Sequence, residues 1–162
     1  MRRPAVLMLL VALLSLGLLA GCGDDDDGGG DNGAATTEEF DKAYEPINDE
    51  FVDLGEDVQQ TIQTAEGQTN QALATKFDAL AKQVFELRAR LVALEAPEEY
   101  KADVDRLAAS MQVVGGDLSE ISRAAEKGQA AEAKTQVQEL VRHSVETRTA
   151  RRALARKTGA QE

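Results

Sequence analysis

The side chains that could do chemistry are few, and their spacing matches no catalytic or metal site. The chain has one histidine, His143, and one cysteine, Cys22, from which we can assemble no Ser-His-Asp or Cys-His nucleophile. Glu139 lies one helical turn before His143, but a di-iron bundle needs Glu-x-x-His twice and two further carboxylates. Met111 falls on an apolar stripe and is expected to fill a core. We therefore expect no enzyme, no metal and no cofactor, and we interpret His143 as a partly exposed helix residue.

Carboxylates are abundant, but their patterns indicate solvated surface. The pairs Glu98/Glu99 and Asp103/Asp105 are expected on a helix surface, with no apolar surroundings to raise a pKa. The aspartates within residues 24–31 fit the EF-hand pattern in no register. The net charge of −11 makes the chain a poor nucleic-acid binder, because phosphate contacts need clustered Lys and Arg.

Cys22 closes a segment with the pattern of an export signal. Arg2 and Arg3 precede an almost unbroken apolar run over residues 5–20. The segment ends Leu19-Ala20-Gly21-Cys22, which resembles the lipobox of bacterial lipoproteins. The resemblance covers the first 22 residues and implies cleavage between Gly21 and Cys22 and fatty acylation of Cys22, such as palmitate within a diacylglycerol. It also implies a lipid anchor on the extracytoplasmic face of the cell membrane, or of an outer membrane if the host has one. The alternatives are a plain signal peptide and a retained transmembrane anchor.

Composition divides the chain into four parts. Residues 1–21 are the predicted lipoprotein signal peptide, and residues 22–36 are the lipidated cysteine with an Asp/Gly-rich tether. The tether has no apolar periodicity and is expected to stay disordered. Residues 37–157 are the predicted helical domain, and residues 158–162 a disordered tail.

Apolar residues recur at steps of three and four in four segments after Thr36, which predicts amphipathic helices. The stripes are Phe40, Tyr44, Ile47, Phe51, Leu54, Val58, Ile62 and Ala65; Leu73, Phe77, Leu80, Val84, Leu87, Leu91 and Leu94; Tyr100, Val104, Leu107, Met111, Val114, Leu118 and Ile121; and a weaker fourth, Ala130, Ala133, Val137, Leu140, Ser144 and Leu154. Helices of about 26–31 residues with short connections favour an all-α, up-down-up-down bundle of four antiparallel helices. An extended dimeric coiled coil is the alternative, and the sequence sets no oligomeric state.

Local signals mark the helix ends. Thr36 and Glu39 have the spacing of a capping box. Pro46 should kink the first helix or isolate a short turn of residues 37–45. Pro97 suits the first turn of the third helix, and Gly128 the position just past its end.

Gly115 and Gly116 stand together in the middle of the third predicted helix, where two glycines cost roughly 2 kcal/mol relative to alanine. A kink or a close helix crossing is the favoured interpretation. The other is a hinge or an opening that admits a ligand.

Charge is segregated between the ends of the domain. Residues 38–57 hold nine acids against Lys42, and residues 142–157 hold six bases against Glu146. In an up-down-up-down bundle these segments are antiparallel neighbours, so we expect mutual neutralisation. The alternative is that the basic end touches anionic lipid or a cell-envelope polymer.

Two functions follow from these patterns. The first is a membrane-anchored, non-catalytic interaction or structural module of the cell envelope, whose partner is an envelope protein or polymer. The second is a lipid-anchored sensor or carrier that binds a small ligand between helices. A pocket lined by small residues near Gly115 would favour the second, and a closed core with an exposed apolar strip the first.

Overall fold

The structure, a computed structural model, describes residues 36–160, which form four helices with no strand among them. The helices are α1 (Thr37–Gln63), α2 (Asn70–Ala93), α3 (Glu98–Glu126) and α4 (Ala130–Thr158). The predicted all-α fold of four helices is thereby confirmed. The predicted signal peptide, the cleavage site at Gly21–Cys22 and residues 22–35 of the tether lie outside the described residues.

The helix ends follow from local hydrogen bonding. At the start of α1, the Thr36 hydroxyl accepts from the Glu39 amide at 3.3 Å, and the Glu39 carboxylate accepts from the Thr36 amide at 3.0 Å. This is the predicted capping box. After α3, Gly128 has a φ of 68° and its amide donates to the Ala125 carbonyl at 2.9 Å, which ends the helix as predicted.

The two prolines within the helical domain affect the helices differently. α1 continues through Pro46, so the separate turn of residues 37–45 is not formed. Phe40 and Tyr44 before the proline and Ile47 after it are all buried, which holds both halves of α1 against one core. Pro97 is the N-cap of α3, one residue before the predicted position. α2 has 24 residues, fewer than expected, because the chain is already extended at Leu94 on its way to Pro97.

Neighbouring helices run antiparallel. The Ser122 hydroxyl near the end of α3 donates to the Ala74 carbonyl near the start of α2 at 2.9 Å. Lys157 at the end of α4 pairs with Asp103 near the start of α3 at 2.5 Å. α3 packs closely on α2 and α4, whereas α1 lies mainly on α2 and touches α4 sparsely. The four helices thus pack as a bundle within one chain, and the extended coiled coil is not formed.

The core is built from the predicted stripes, and the buried part of the stripe is largest in α3 and smallest in α4. Every predicted position of α3 is buried, and Met111 fills the core as expected. In α1 the first half of the stripe is buried, while Phe51, Val58 and Ile62 pack against the core and stay partly exposed. In α4 the inward face continues past Leu140 through Thr147 and Arg151, both buried, to Leu154. The fourth stripe is therefore completed by polar side chains.

An aromatic cluster lies where α1 begins. The rings of Phe40 and Tyr44 stack with centroids 5.9 Å apart, and Phe40 meets Tyr100 of α3 at 5.4 Å. The Tyr100 hydroxyl donates to the Lys157 carbonyl at 3.2 Å. These contacts join the start of α1 to α3 and to the end of α4.

α4 ends later than the predicted domain boundary at residue 157. The helix extends to Thr158, Gly159 stops it with a φ of 73°, and Ala160 packs against the core. The expected tail from residue 158 therefore starts too early, because these residues cover the end of the bundle. Residues 161–162 lie outside the described part.

Gly115 marks a close crossing of α2 and α3. A Cβ atom at this position would lie 2.6 Å from Cε1 of Phe85, whereas at Gly116 it would meet open space. Of the two interpretations of the glycine pair, the structure supports the close crossing at Gly115. The Phe85 ring occupies the space where a ligand opening would have to be.

None of the four helices in residues 36–160 has the length and apolar character needed to cross a membrane.

Candidate functional site

A cleft of 510 Å³ separates the second half of α1 from the middle of α4. Its floor is formed by three buried aliphatic side chains, Val84 of α2, Val114 of α3 and Leu140 of α4. The walls and rim are Phe51, Val52, Leu54, Gly55, Glu56, Val58, Gln59, Ile62 and Gln63 of α1 and Val141, Ser144, Thr147, Arg148 and Arg151 of α4. The site is thus an apolar trough with a polar rim along the α1–α4 seam.

The sequence of α4 explains why the seam stays open. Protein interiors are close-packed, so two helices close on each other only where side chains fill the space between them. Between Leu140 and Leu154, Ser144, Thr147 and Arg151 of α4 line the cleft and are polar, and Val141 is the one large aliphatic α4 residue in that part of the lining. Gly55 on the α1 wall adds no side-chain volume. The weak fourth stripe was the sequence signal for this cleft.

A buried arginine closes one end of the cleft. Arg151 is 5% exposed, and its Nη1 donates to Oδ1 of the buried Asn48 at 2.8 Å. Burying a guanidinium is costly unless it is hydrogen-bonded, so this α1–α4 contact fixes where the two helices meet. From the sequence, Arg151 was expected in a charged surface segment, and no local pattern indicated Asn48, because 103 residues separate the two.

Tyr44, the tyrosine beside this arginine, has a strongly raised pKa. Burial raises the pKa of Tyr44 to about 12, and the positive charge of Arg151 acts in the opposite direction. Within residues 36–160 the Tyr44 hydroxyl has no hydrogen-bond partner. Tyr44 is therefore a neutral phenol at physiological pH.

The rim of the cleft carries further charge and hydrogen-bonding groups. Arg148 is exposed and lies one helical turn after Ser144 on α4. Glu56 and Gln59 face the seam from α1. Two arginines and one glutamate leave the lining with a net positive charge.

A second cavity of 230 Å³ adjoins the cleft toward the far end of the bundle. Ile62 lines both cavities. The other lining residues, Ala65, Leu73, Phe77, Ile121, Ala125, Ala133, Lys134 and Val137, are apolar except for Lys134. The apolar surface of the seam thus continues beyond the cleft.

His143 lies on the α3 side of α4, outside the cleft lining. Its Nδ1 is 2.7 Å from Oδ2 of Asp117, and its Nε2 is 2.9 Å from Nη2 of Arg142. An arginine can only donate a hydrogen bond, so Nε2 of His143 is the acceptor from Arg142. Nδ1 then carries the hydrogen and donates it in a hydrogen bond to Asp117. The side chains of His143 and Asp117 are 20% and 13% exposed, so His143 is a partly buried α3–α4 contact. The partial exposure of His143 was predicted from the sequence, whereas its partner Asp117 was not.

The ion pairs of Glu50 in the acidic part of α1 and of Lys157 in the basic part of α4 go to other helices, not to each other's segments as expected. α1 and α4 are antiparallel neighbours, but Glu50 of α1 pairs with Arg90 of α2 at 2.5 Å. Lys157 pairs with Asp103 of α3, whose side chain is 18% exposed. Asp103 is therefore more buried than expected, because the end of α4 covers it.

No three His, Cys, Asp or Glu side chains converge as a metal site within residues 36–160. Comparisons of the chain with protein-family models, with curated proteins and with solved structures find no match.

Proposed function

We propose that this protein is a lipid-anchored, extracytoplasmic and non-catalytic binding module that takes a small ligand into the α1–α4 cleft. The observation that carries the proposal is the cleft itself. Its volume lies in the range of about 300–1,000 Å³ typical of ligand pockets, and it has the usual apolar lining with a few polar groups.

The cleft favours ligand binding over a purely structural role. The pocket lies on the α1–α4 seam, away from the Phe85-filled crossing at Gly115. Val52 and Val141 are among the exposed large apolar residues, and both line the cleft. Their exposure therefore belongs to the pocket and does not require a protein partner to cover it.

The anchor rests on the sequence Leu19-Ala20-Gly21-Cys22, which resembles a lipobox. One acyl chain holds a protein marginally and two or more hold it stably, so acylation of Cys22 would fix the domain to a membrane surface. The acidic segment 22–36 would then separate the bundle from the lipid.

Replacing Cys22 with Ser tests the anchor. We expect Cys22→Ser to abolish incorporation of labelled palmitate and to leave an uncleaved chain, because the thiol is the acylated group. Gly21→Ala is the matched control, since it keeps a small residue before the cysteine and should be labelled normally. Undiminished labelling of Cys22→Ser would remove the anchor from the proposal.

A photo-reactive hexadecanol tests the cleft. The full chain is reconstituted in phospholipid nanodiscs, irradiated with the probe, and the labelled peptides are identified by mass spectrometry. We expect adducts in residues 51–63 and 140–151. Val141→Trp should block them by filling the cleft, whereas Val92→Trp should not, although both valines are 54% exposed. Labelling spread evenly over all four helices would contradict a ligand site.

A further inference from the structure

We propose that the cleft selects a free single-chain amphiphile with an anionic head group, of the long-chain carboxylate class. The head group binds at Arg148, and the chain lies along the floor, passes Ile62 and reaches the second cavity. This inference rests on the proposed function, since it names the ligand of the same site.

The apolar path has the length of such a chain. Arg148 and Val137 are eleven residues apart on α4, which corresponds to about 16 Å at 1.5 Å per residue. A zigzag chain with bonds of about 1.5 Å advances roughly 1.25 Å per carbon, so about 13 carbons span this distance. A chain of that length connects the cleft to the second cavity through Ile62, which lines both.

The floor suits one chain. It presents a single aliphatic side chain from each of α2, α3 and α4, namely Val84, Val114 and Leu140. The side opposite the floor is open, so a second chain would lie without a wall. A diacyl lipid would therefore leave much of one chain in water, which is unfavourable in proportion to its exposed apolar area.

The charge at the rim selects the head group. Arg148 is exposed at the edge of the trough, and a guanidinium presents a planar fork of donors that matches a carboxylate. Ser144, one turn earlier on the same helix, adds a hydroxyl to the same edge. Glu56 lies on the α1 rim and disfavours an anion there, which places the head group on the α4 side.

The test compares photo-reactive hexadecanoate, hexadecanol and a diacyl phosphatidylglycerol on the nanodisc-bound full chain. We expect hexadecanoate to label residues 51–63 and 133–151 most strongly. Arg148→Gln should reduce that labelling about tenfold, as expected for loss of one charge-assisted contact, and should leave hexadecanol labelling unchanged. Arg152→Gln is the matched control, because Arg152 is an exposed arginine of α4 outside the lining. Equal melting temperatures of the two variants ensure that folded proteins are compared.

The outcomes separate this inference from the proposed function. Equal cleft labelling by hexadecanol and hexadecanoate, unchanged in Arg148→Gln, would overturn the anionic class while the cleft remained a ligand site. Preferential labelling by the diacyl probe would overturn the free, single-chain ligand in favour of a bilayer lipid. Loss of hexadecanoate labelling in Lys134→Gln but not in Arg148→Gln would overturn the orientation. No cleft labelling by any probe would overturn both proposals.

Discussion

Phe85 and Gly115 show how one residue's missing side chain sets a helix crossing. The ring of Phe85 lies where a Cβ at position 115 would stand, so α2 and α3 approach closely only with glycine there. Gly116, its neighbour, is in the same helix without such a contact. The pair therefore separates the cost of glycine in a helix from its use in packing.

Alanine at each position should move stability in opposite directions. Gly116→Ala should raise the free energy of unfolding by about 0.5–1 kcal/mol, because alanine loses less backbone entropy in a helix. Gly115→Ala should lower it by about 1–3 kcal/mol, because the Phe85 ring must be displaced from a packed site. Urea unfolding curves measure both values, and the double variant Phe85→Leu/Gly115→Ala should recover most of the loss. Equal stabilisation by both alanines would show that the ring moves aside freely.

At the scale of the helices, the starts of α1 and α3 meet and bring two carboxylates together. Asp41 of α1 and Glu99 of α3 lie at adjacent helix starts, where Thr37 donates to Glu99 at 3.1 Å. Burial, and then the negative charge of Glu99, raises the pKa of Asp41. One carboxylate oxygen of Asp41 is buried without a hydrogen-bond partner among the described residues. The folded state thus holds a proton on Asp41 to a higher pH than the unfolded chain does.

The sign of this shift predicts how stability depends on pH. Because the folded-state pKa of Asp41 is raised, its contribution to stability decreases as pH rises from the ordinary aspartate value through the raised one. Asp41→Asn should therefore have a higher melting temperature than the wild type at pH 7. The difference should shrink toward pH 3, where the wild-type carboxyl is protonated. Thermal melts at both pH values measure this, and Asp53→Asn, an exposed acid of the same helix, is the control. A melting temperature of Asp41→Asn that is unchanged at pH 7 would contradict the prediction.

Glu39 acts with the opposite sign in the same helix. Hydrogen bonds from the Thr36 amide and hydroxyl lower the pKa of Glu39, so its contribution is present at neutral pH and lost as the carboxylate is protonated in acid. Both Asp41→Asn and the wild type retain this group, so it cancels in their comparison.

At the scale of the whole molecule, what the sequence predicts depends on the distance over which each signal acts. The capping box, Gly128 and the four stripes were predictable, because each depends on residues a few positions apart. The pairs Arg151–Asn48 and His143–Asp117 join helices that meet only after folding, and no local pattern announces them. The cleft lies between these two cases in predictability. The weak fourth stripe indicates that α4 lacks large apolar side chains, but it does not show which helix borders the resulting space.

Pro46 lies between two parts of α1 that make different contacts. The proline removes the hydrogen bond that the Lys42 carbonyl would receive, which lowers the bending stiffness of the helix at that point. Before it, Phe40 and Tyr44 are held in the aromatic cluster with Tyr100. After it, the half of α1 that walls the cleft touches α4 sparsely. α1 is therefore least stiff at Pro46, and the buried contacts of Ile47, Asn48 and Leu54 are what hold the wall of the cleft against the core.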